Sequence, residues 1–171
     1  KSDVGMDYRK LRDLLKAGKW KEADEETLRV MLCVGERERE GWLDINSIDN
    51  FPCADLRTID QLWVKYSDGR FGFSVQKRIY QGLGGTREYN GEIWEKFGEK
   101  IRWRKRESWL TYEYITFDKK APEGHLPLFR VGANPGNYYR DLGAANSLYG
   151  VGSAGRVWCS SLASKLVDCN I

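Results

Sequence analysis

The sequence predicts an all-α fold in a single domain. Three observations carry that expectation. Apolar residues recur at helical spacing through the first two thirds of the chain, and glycines close the periodic stretches. Only one stretch, Trp109–Phe117, has the β-branched and aromatic character of a strand, and a lone strand without a partner is not stable. The 171 residues show no internal repeat and are enough for one core.

The elements follow in order. "DYRKLRDLLKAG" offers Asp7 as an N-cap, Leu11, Leu14 and Leu15 on one face, and Gly18 as a stop. "WKEADEETLRVMLCVG" puts Ala23, Thr27, Val30, Met31 and Val34 on one stripe, with acids early and Gly35 at the end. "FPCADLRTIDQLWVKYS" opens with Pro52 in a first-turn position, and its stripe is Leu56, Ile59, Trp63 and Tyr66. Asp68-Gly69 is a turn. A helix is expected over Ser74–Leu83, closed by "GLGG", and another over Glu88–Ile101 with Tyr89, Ile93, Phe97 and Ile101 on one side. From Asp118 to Arg156 the chain is rich in Gly, Pro, Asn and Tyr, and a loop of that length inside a domain is usually functional. "RVWCSSLASKLVDC" closes the chain as a helix, with Trp158, Leu162 and Leu166 at i+4 spacing.

Composition narrows the function. Charged residues are 31% of the chain but the net charge is only +3, far from the excess of a dedicated nucleic-acid binder. No apolar run approaches the roughly 20 residues that span a bilayer. Lys1 is not followed by a secretory h-region, so a mature or trimmed chain is expected. The four cysteines, Cys33, Cys53, Cys159 and Cys169, form no C-x-x-C pair, and with the single His125 they build no zinc spacing. Scattered cysteines suit buried thiols in a reducing compartment, while a disulfide between any two of them stays open.

Few motifs carry chemistry. "GVGSAG" (Gly150–Gly155) matches G-x-G-x-x-G, but no apolar strand precedes it and no acid follows about 20 residues on. It reads as a loop feeding a helix. No P-loop, H-E-x-x-H or G-x-S-x-G occurs. Glu25-Glu26 sits in a first helical turn, where the dipole explains it. His125 in "APEGHLP" has three readings: an axial ligand to a porphyrin metal, a general base, or a loop histidine bonded to the backbone. The last is the commonest.

"LWVKYSDGRFGFSVQKRIY" (Leu62–Tyr80) stands out, because it sets five aromatic residues among four basic ones. A flat anionic ligand suits both, and the candidates are nucleic acid and a tetrapyrrole bearing carboxylates. "IRWRKRESW" (Ile101–Trp109) is the most basic stretch. It allows a single-stranded nucleic-acid module, with Trp103 and Trp109 stacking on bases and the arginines on phosphates. The other reading is a solvated helix end. An enzyme acting on porphyrins ranks last, since no acid–base pair or metal cluster stands out.

"WKEADEET", "GWL", "FPCADLRTIDQLWVKYSDGRFGFSVQKRIY" and "GHLP" closely resemble the genomes-uncoupled porphyrin-binding family, the regulators of magnesium chelatase in chlorophyll synthesis. The resemblance runs from about Tyr8 to His125 and resumes in "SSLASKLV". It implies a helical domain shaped like a cupped hand, with a core over about 7–128, a mobile loop over about 129–156 and a closing helix over about 157–168. It implies an apolar palm that binds protoporphyrin IX and Mg-protoporphyrin IX, and a non-catalytic activator that works with the large porphyrin-binding subunit of magnesium chelatase. It further implies a monomer in the chloroplast stroma, partly associated with the membrane, or in a cyanobacterial cytoplasm. It does not imply a nucleic-acid partner. Within an all-helical family, Trp109–Phe117 becomes an ordered coil or short helix.

The expected porphyrin-binding residues are Leu43, Val64 and Phe73 for the face of the disc, with Arg102, Trp103, Phe129, Tyr138, Tyr139 and Arg156 around it. Burying one face at about 25 cal/mol per Å² gives several kcal/mol. Arginine suits the propionates, because its planar fork pairs with a carboxylate in two places.

Overall fold

A computed structural model describes residues 1–128 and 161–171. The described residues are mostly helical, as the periodicity predicts. Helix α1 spans Arg9–Lys16 and buries Leu11 and Leu15. Tyr8 holds its cap position, while Asp7 Oδ1 accepts the Arg9 N–H at 2.9 Å, so the expected capping acid acts one residue early. Gly18, at φ +68°, lets the chain turn into α2 (Trp20–Val34). All five residues of the expected α2 stripe are buried. A short α3 (Ile45–Asp49), capped by Asp44 on the Ser47 N–H at 2.8 Å, was not visible in the pattern. Helix α4 (Cys53–Tyr66) starts directly after Pro52 and buries Leu56, Ile59 and Trp63. Helix α5 spans Phe73–Gly82, and α6 spans Gly91–Lys100. The latter begins later than expected because Asn90 caps it, accepting the Ile93 N–H at 3.1 Å.

The stretch that looked like a strand is mostly coil. Arg104–Lys105 (β1) pairs antiparallel with Ser108–Trp109 (β2), and Arg106 and Glu107 turn the corner at positive φ. A 3₁₀ turn follows at Tyr112–Tyr114. The chain closes with α7 (Ala163–Asp168). The rest of the expected closing helix, including Trp158, lies outside the described residues, as does the long loop.

Helix α1 packs on α2 and α4, and α5 packs on α4, α6 and α7. Two aromatic clusters fill the core. Trp20, Trp63 and Phe71 form one, with ring centroids 5.5–6.4 Å apart. The Trp63 indole N–H there donates to Thr27 Oγ1 at 2.9 Å, and Thr27 donates to the Ala23 carbonyl at 2.7 Å, so the polar edge is satisfied. Tyr80, Trp94, Phe97, Trp103 and Trp109 form the other, in which Trp94 and Trp109 stack at 5.7 Å. A Cβ at Gly98 would lie 2.4 Å from the Trp109 ring, so glycine is what admits this stack.

The expectation of reduced thiols is corrected at one pair. Cys53 and Cys169 form a disulfide, with Cα atoms 5.3 Å apart across 116 residues of sequence. Cys33 is a free, half-buried thiol that donates to Glu38 at 2.9 Å. Cys159 lies outside the described residues.

Candidate functional site

The turn between α4 and α5 is tightly constrained backbone. Gly72 sits at φ +136°, where side chains are strained. A Cβ there would lie 2.8 Å from Val64 Cγ2 and 2.9 Å from Asp60 Oδ1. A glycine cannot cap a helix through a side chain, so the cap of α5 comes from its neighbour: Asp60 Oδ1 accepts the Ser74 N–H at 2.8 Å. Burial raises the Asp60 pKa, and its hydrogen bonds from Ser74 and Phe73 oppose that shift only in part. Val64 and Asp60, four residues apart on one face of α4, thus both press on the start of α5.

The segment Gly124–Pro127 locks this turn from the other side. The Leu126 carbonyl accepts the Gly72 N–H at 3.0 Å, and the Arg70 carbonyl accepts the Gly124 N–H at 2.8 Å. Gln76, fully buried on α5, donates its amide to the Gly124 and Pro127 carbonyls at 3.0 and 2.7 Å. The Leu126-Pro127 bond is cis. The next residue, Leu128, donates its N–H to Asp24 of α2 at 2.7 Å, and Tyr112 donates to the same carboxylate at 3.2 Å.

His125 is the pin of that segment. It is buried, with Nδ1 2.6 Å from the Ile101 carbonyl and Nε2 accepting the Thr116 N–H at 3.2 Å. That pairing fits the neutral ring with its proton on Nδ1. Burial lowers its pKa, and the nearby Arg102 adds to the shift against the hydrogen bond to Ile101. Both nitrogens are taken, so of the three sequence readings the backbone-bonded one holds. Among the described residues, no group of three or more His, Cys, Asp or Glu is placed to hold a metal ion.

The nine expected ligand residues divide sharply. Phe129, Tyr138, Tyr139 and Arg156 lie outside the described residues. Val64 is half-buried and Arg102 is exposed, so both can meet a ligand. Leu43, Phe73 and Trp103 present almost no surface, with exposures of 1, 0 and 8%. Leu43 is pressed against the end of α2, where a Cβ on Gly35 would come within 2.8 Å of it. Trp103 donates its indole N–H to the His125 carbonyl at 2.7 Å and meets Phe97 edge-on at 6.0 Å. Phe73 opens α5 and belongs to the core cluster. The sequence analysis assigns these three a ligand-facing part, and in this conformation they have a packing part. The basic stretch changes likewise. Arg104 is spent on Glu95 and Glu99, and Trp103 and Trp109 have their rings in the second aromatic cluster. Trp103 is buried, and half-buried Trp109 has Trp94 stacked on one face, so the pair does not present the two open rings that base stacking would use.

Sequence reasoning missed the buried acids that position the site, Asp24 and Asp60. Their signal was available. Asp24 lies four residues after Trp20, and Asp60 lies four after Leu56, so both fall on buried helix faces where an acid needs a polar partner.

The architecture is that of a helical domain whose closely packed junction, between α4, α5 and the Gly124–Pro127 segment, leaves Val64 half-buried, while Arg102, near His125 of that segment, is exposed. Comparisons with known proteins make the assignment specific. The profile of the GUN4-like family matches residues 1–135, and this chain belongs to that family. A Ycf53-like protein of Synechocystis is 37% identical over 153 residues, covering 86% of this chain and 59% of its own. A chloroplastic protein of Arabidopsis thaliana named tetrapyrrole-binding protein is 33% identical over 121 residues, covering 64% of this chain and 43% of its own. The chain therefore spans about half the length of these curated relatives. The solved structure of GUN4 from Chlamydomonas reinhardtii superposes with a TM-score of 0.65 at 30% identity, over 83% of this chain and 91% of that one. The ligand-free Arabidopsis GUN4 structure gives 0.64 at 27% identity, over 81% and 94%.

Proposed function

We propose that this domain binds protoporphyrin IX and Mg-protoporphyrin IX reversibly, catalyses nothing itself, and activates magnesium chelatase through that enzyme's large porphyrin-binding subunit. The observation that carries the proposal is family membership across residues 1–135, together with a relative named for tetrapyrrole binding. The site supports it in kind. Val64 gives an apolar contact at a closely packed turn, where a Cβ on Gly72 would come within 2.8 Å of it. Arg102, exposed beside His125, is a cation for a propionate. Phe73 joins the contact only if ligand entry uncovers it. The setting that fits is a plastid or a cyanobacterial cell, since relatives come from both.

A binder speeds a partner enzyme only by acting differently on its states, for example by delivering porphyrin or by stabilising an active form. The test is a reconstituted chelatase assay with this chain added. Stimulation that falls in parallel with porphyrin affinity in a Val64→Asp variant supports the proposal. Full stimulation by a variant that no longer binds porphyrin refutes the palm as the route.

A further inference from the structure

We propose that Cys53–Cys169 is a redox-modification site, a disulfide opened by a dithiol reductant, whose state decides whether α7 stays docked. The disulfide joins the first residue of α4 to the residue that follows α7. With six residues, α7 is too short to persist on its own. Its place depends on burying Leu162, Leu166 and Cys169 and on a ring of contacts from the rest of the fold. Among the described residues, the polar contacts are made by long cationic side chains. Lys165 reaches the Asp49 carbonyl at 2.8 Å. Arg87 reaches Ser164 at 2.6 Å and Asp168 at 3.4 Å. Arg57 and Lys77 donate to the backbone oxygens of Cys169 and Ile171. The Lys165 and Arg87–Asp168 contacts are exposed and hold weakly, and the other three are part-buried single hydrogen bonds. The covalent bond is the strong member of the set.

The two sulfurs are not equivalent. Cys53 is half-buried, whereas Cys169 is 2% exposed. A reductant thiolate therefore attacks Cys53 Sγ, forming a mixed disulfide there and expelling the Cys169 thiolate beside the Arg57 guanidinium. The second thiol of the reductant then attacks the mixed disulfide, releases Cys53 and leaves the reductant oxidised. Two electrons and two protons pass to the protein, which ends with two thiols. Cys53 lies at the positive end of α4, a helix of 14 residues, which favours its thiolate and so the reduced form. Arg57, one turn further along α4, then keeps only its hydrogen bond to the Cys169 carbonyl to hold the chain end. Reduction undocks α7 while α1, α2 and α4 keep their core, because among the described residues no disulfide crosses that packing.

The test uses the whole chain under dithiothreitol, with alkylation to count thiols and amide exchange to follow α7. Two additional thiols should appear on reduction. Exchange over residues 162–169 should rise at least tenfold while α2 and α4 stay protected, and air reoxidation should reverse it. Cys53→Ser should show the faster exchange at once and should not respond to reductant. Unchanged exchange on reduction overturns the proposal, as does loss of protection throughout the domain, or alkylation of Cys53 and Cys169 in the untreated protein. Porphyrin titration of both states gives an arm that rests on the proposed function: absence of binding in either state counts against that function and leaves the clamp intact.

Discussion

At Gly72 the backbone has no room for a side chain, and the consequences can be measured. Gly72→Ala would set a Cβ 2.8 Å from Val64 and 2.9 Å from Asp60 at a φ that L-residues avoid. We expect a loss of about 2–3 kcal/mol in urea unfolding. Phe73→Ala, at a fully buried ring, should cost about 3–5 kcal/mol, whereas Val64→Ala at a half-buried position should cost well under that and act mainly on ligand affinity. A Phe73→Ala variant as stable as the parent would show that the ring faces an open cleft. His125 gives a pH signature. Burial holds its folded pKa below the ordinary 6.5, so the unfolded chain takes up a proton that the folded chain refuses. Its contribution to stability is therefore present above pH 6.5 and is lost as pH falls below that value. As the sole histidine, it should make the urea midpoint drop between pH 7 and 5, before the carboxylates titrate. His125→Gln should lower the midpoint at pH 7 and flatten that slope; an unaltered slope would rule His125 out as its source.

Among the elements, α5 depends on α4 for its cap. Asp60→Ala leaves the Ser74 N–H without its acceptor and should cost about 1–2 kcal/mol, seen as faster amide exchange in the first turn of α5. Asp60→Asn keeps an acceptor oxygen and removes the buried charge, so it should cost less than the alanine variant at neutral pH. Equal losses would mean that the hydrogen bond contributes nothing. The long amphipathic helices were legible because their stripes repeat: Ala23, Thr27, Val30, Met31 and Val34 are buried together, as are Leu56, Ile59 and Trp63. The β1–β2 hairpin was not, because one partner is Arg104–Lys105, which carries no β signature, and the pairing is only two residues long. The burial of Phe73 could have been read, since Phe73, Gln76 and Tyr80 fall at i, i+3 and i+7 and all three are buried. The mixture of rings and cations drew it toward the ligand instead. The disulfide was beyond the sequence, because Cys53 and Cys169 meet only once α7 has returned to α4.

On the scale of the whole molecule, the aromatic richness has two uses that sequence cannot separate. Many of the described rings build two core clusters, and the tryptophans of the basic stretch belong to one of them. Of the expected ligand residues among those described, half-buried Val64 at the junction and exposed Arg102 remain for a ligand. The family relationship and the TM-score of 0.65 to a GUN4 structure place this chain among proteins of one fold, while its share of the curated relatives' length leaves their full activities to experiment. We expect no magnesium insertion by this chain alone, because the sequence carries no ATP-binding loop, and a faster rate when it joins a complete chelatase. Insertion without other subunits would overturn the non-catalytic reading. The most direct measurement is a titration of the chain with protoporphyrin IX at low and moderate salt, following the Soret band and tryptophan emission together. Saturation near one porphyrin per chain, with a shifted Soret band, quenched emission and little dependence on salt, is the expected result. A Soret band and an emission that stay unchanged at saturating porphyrin would contradict tetrapyrrole binding by this domain.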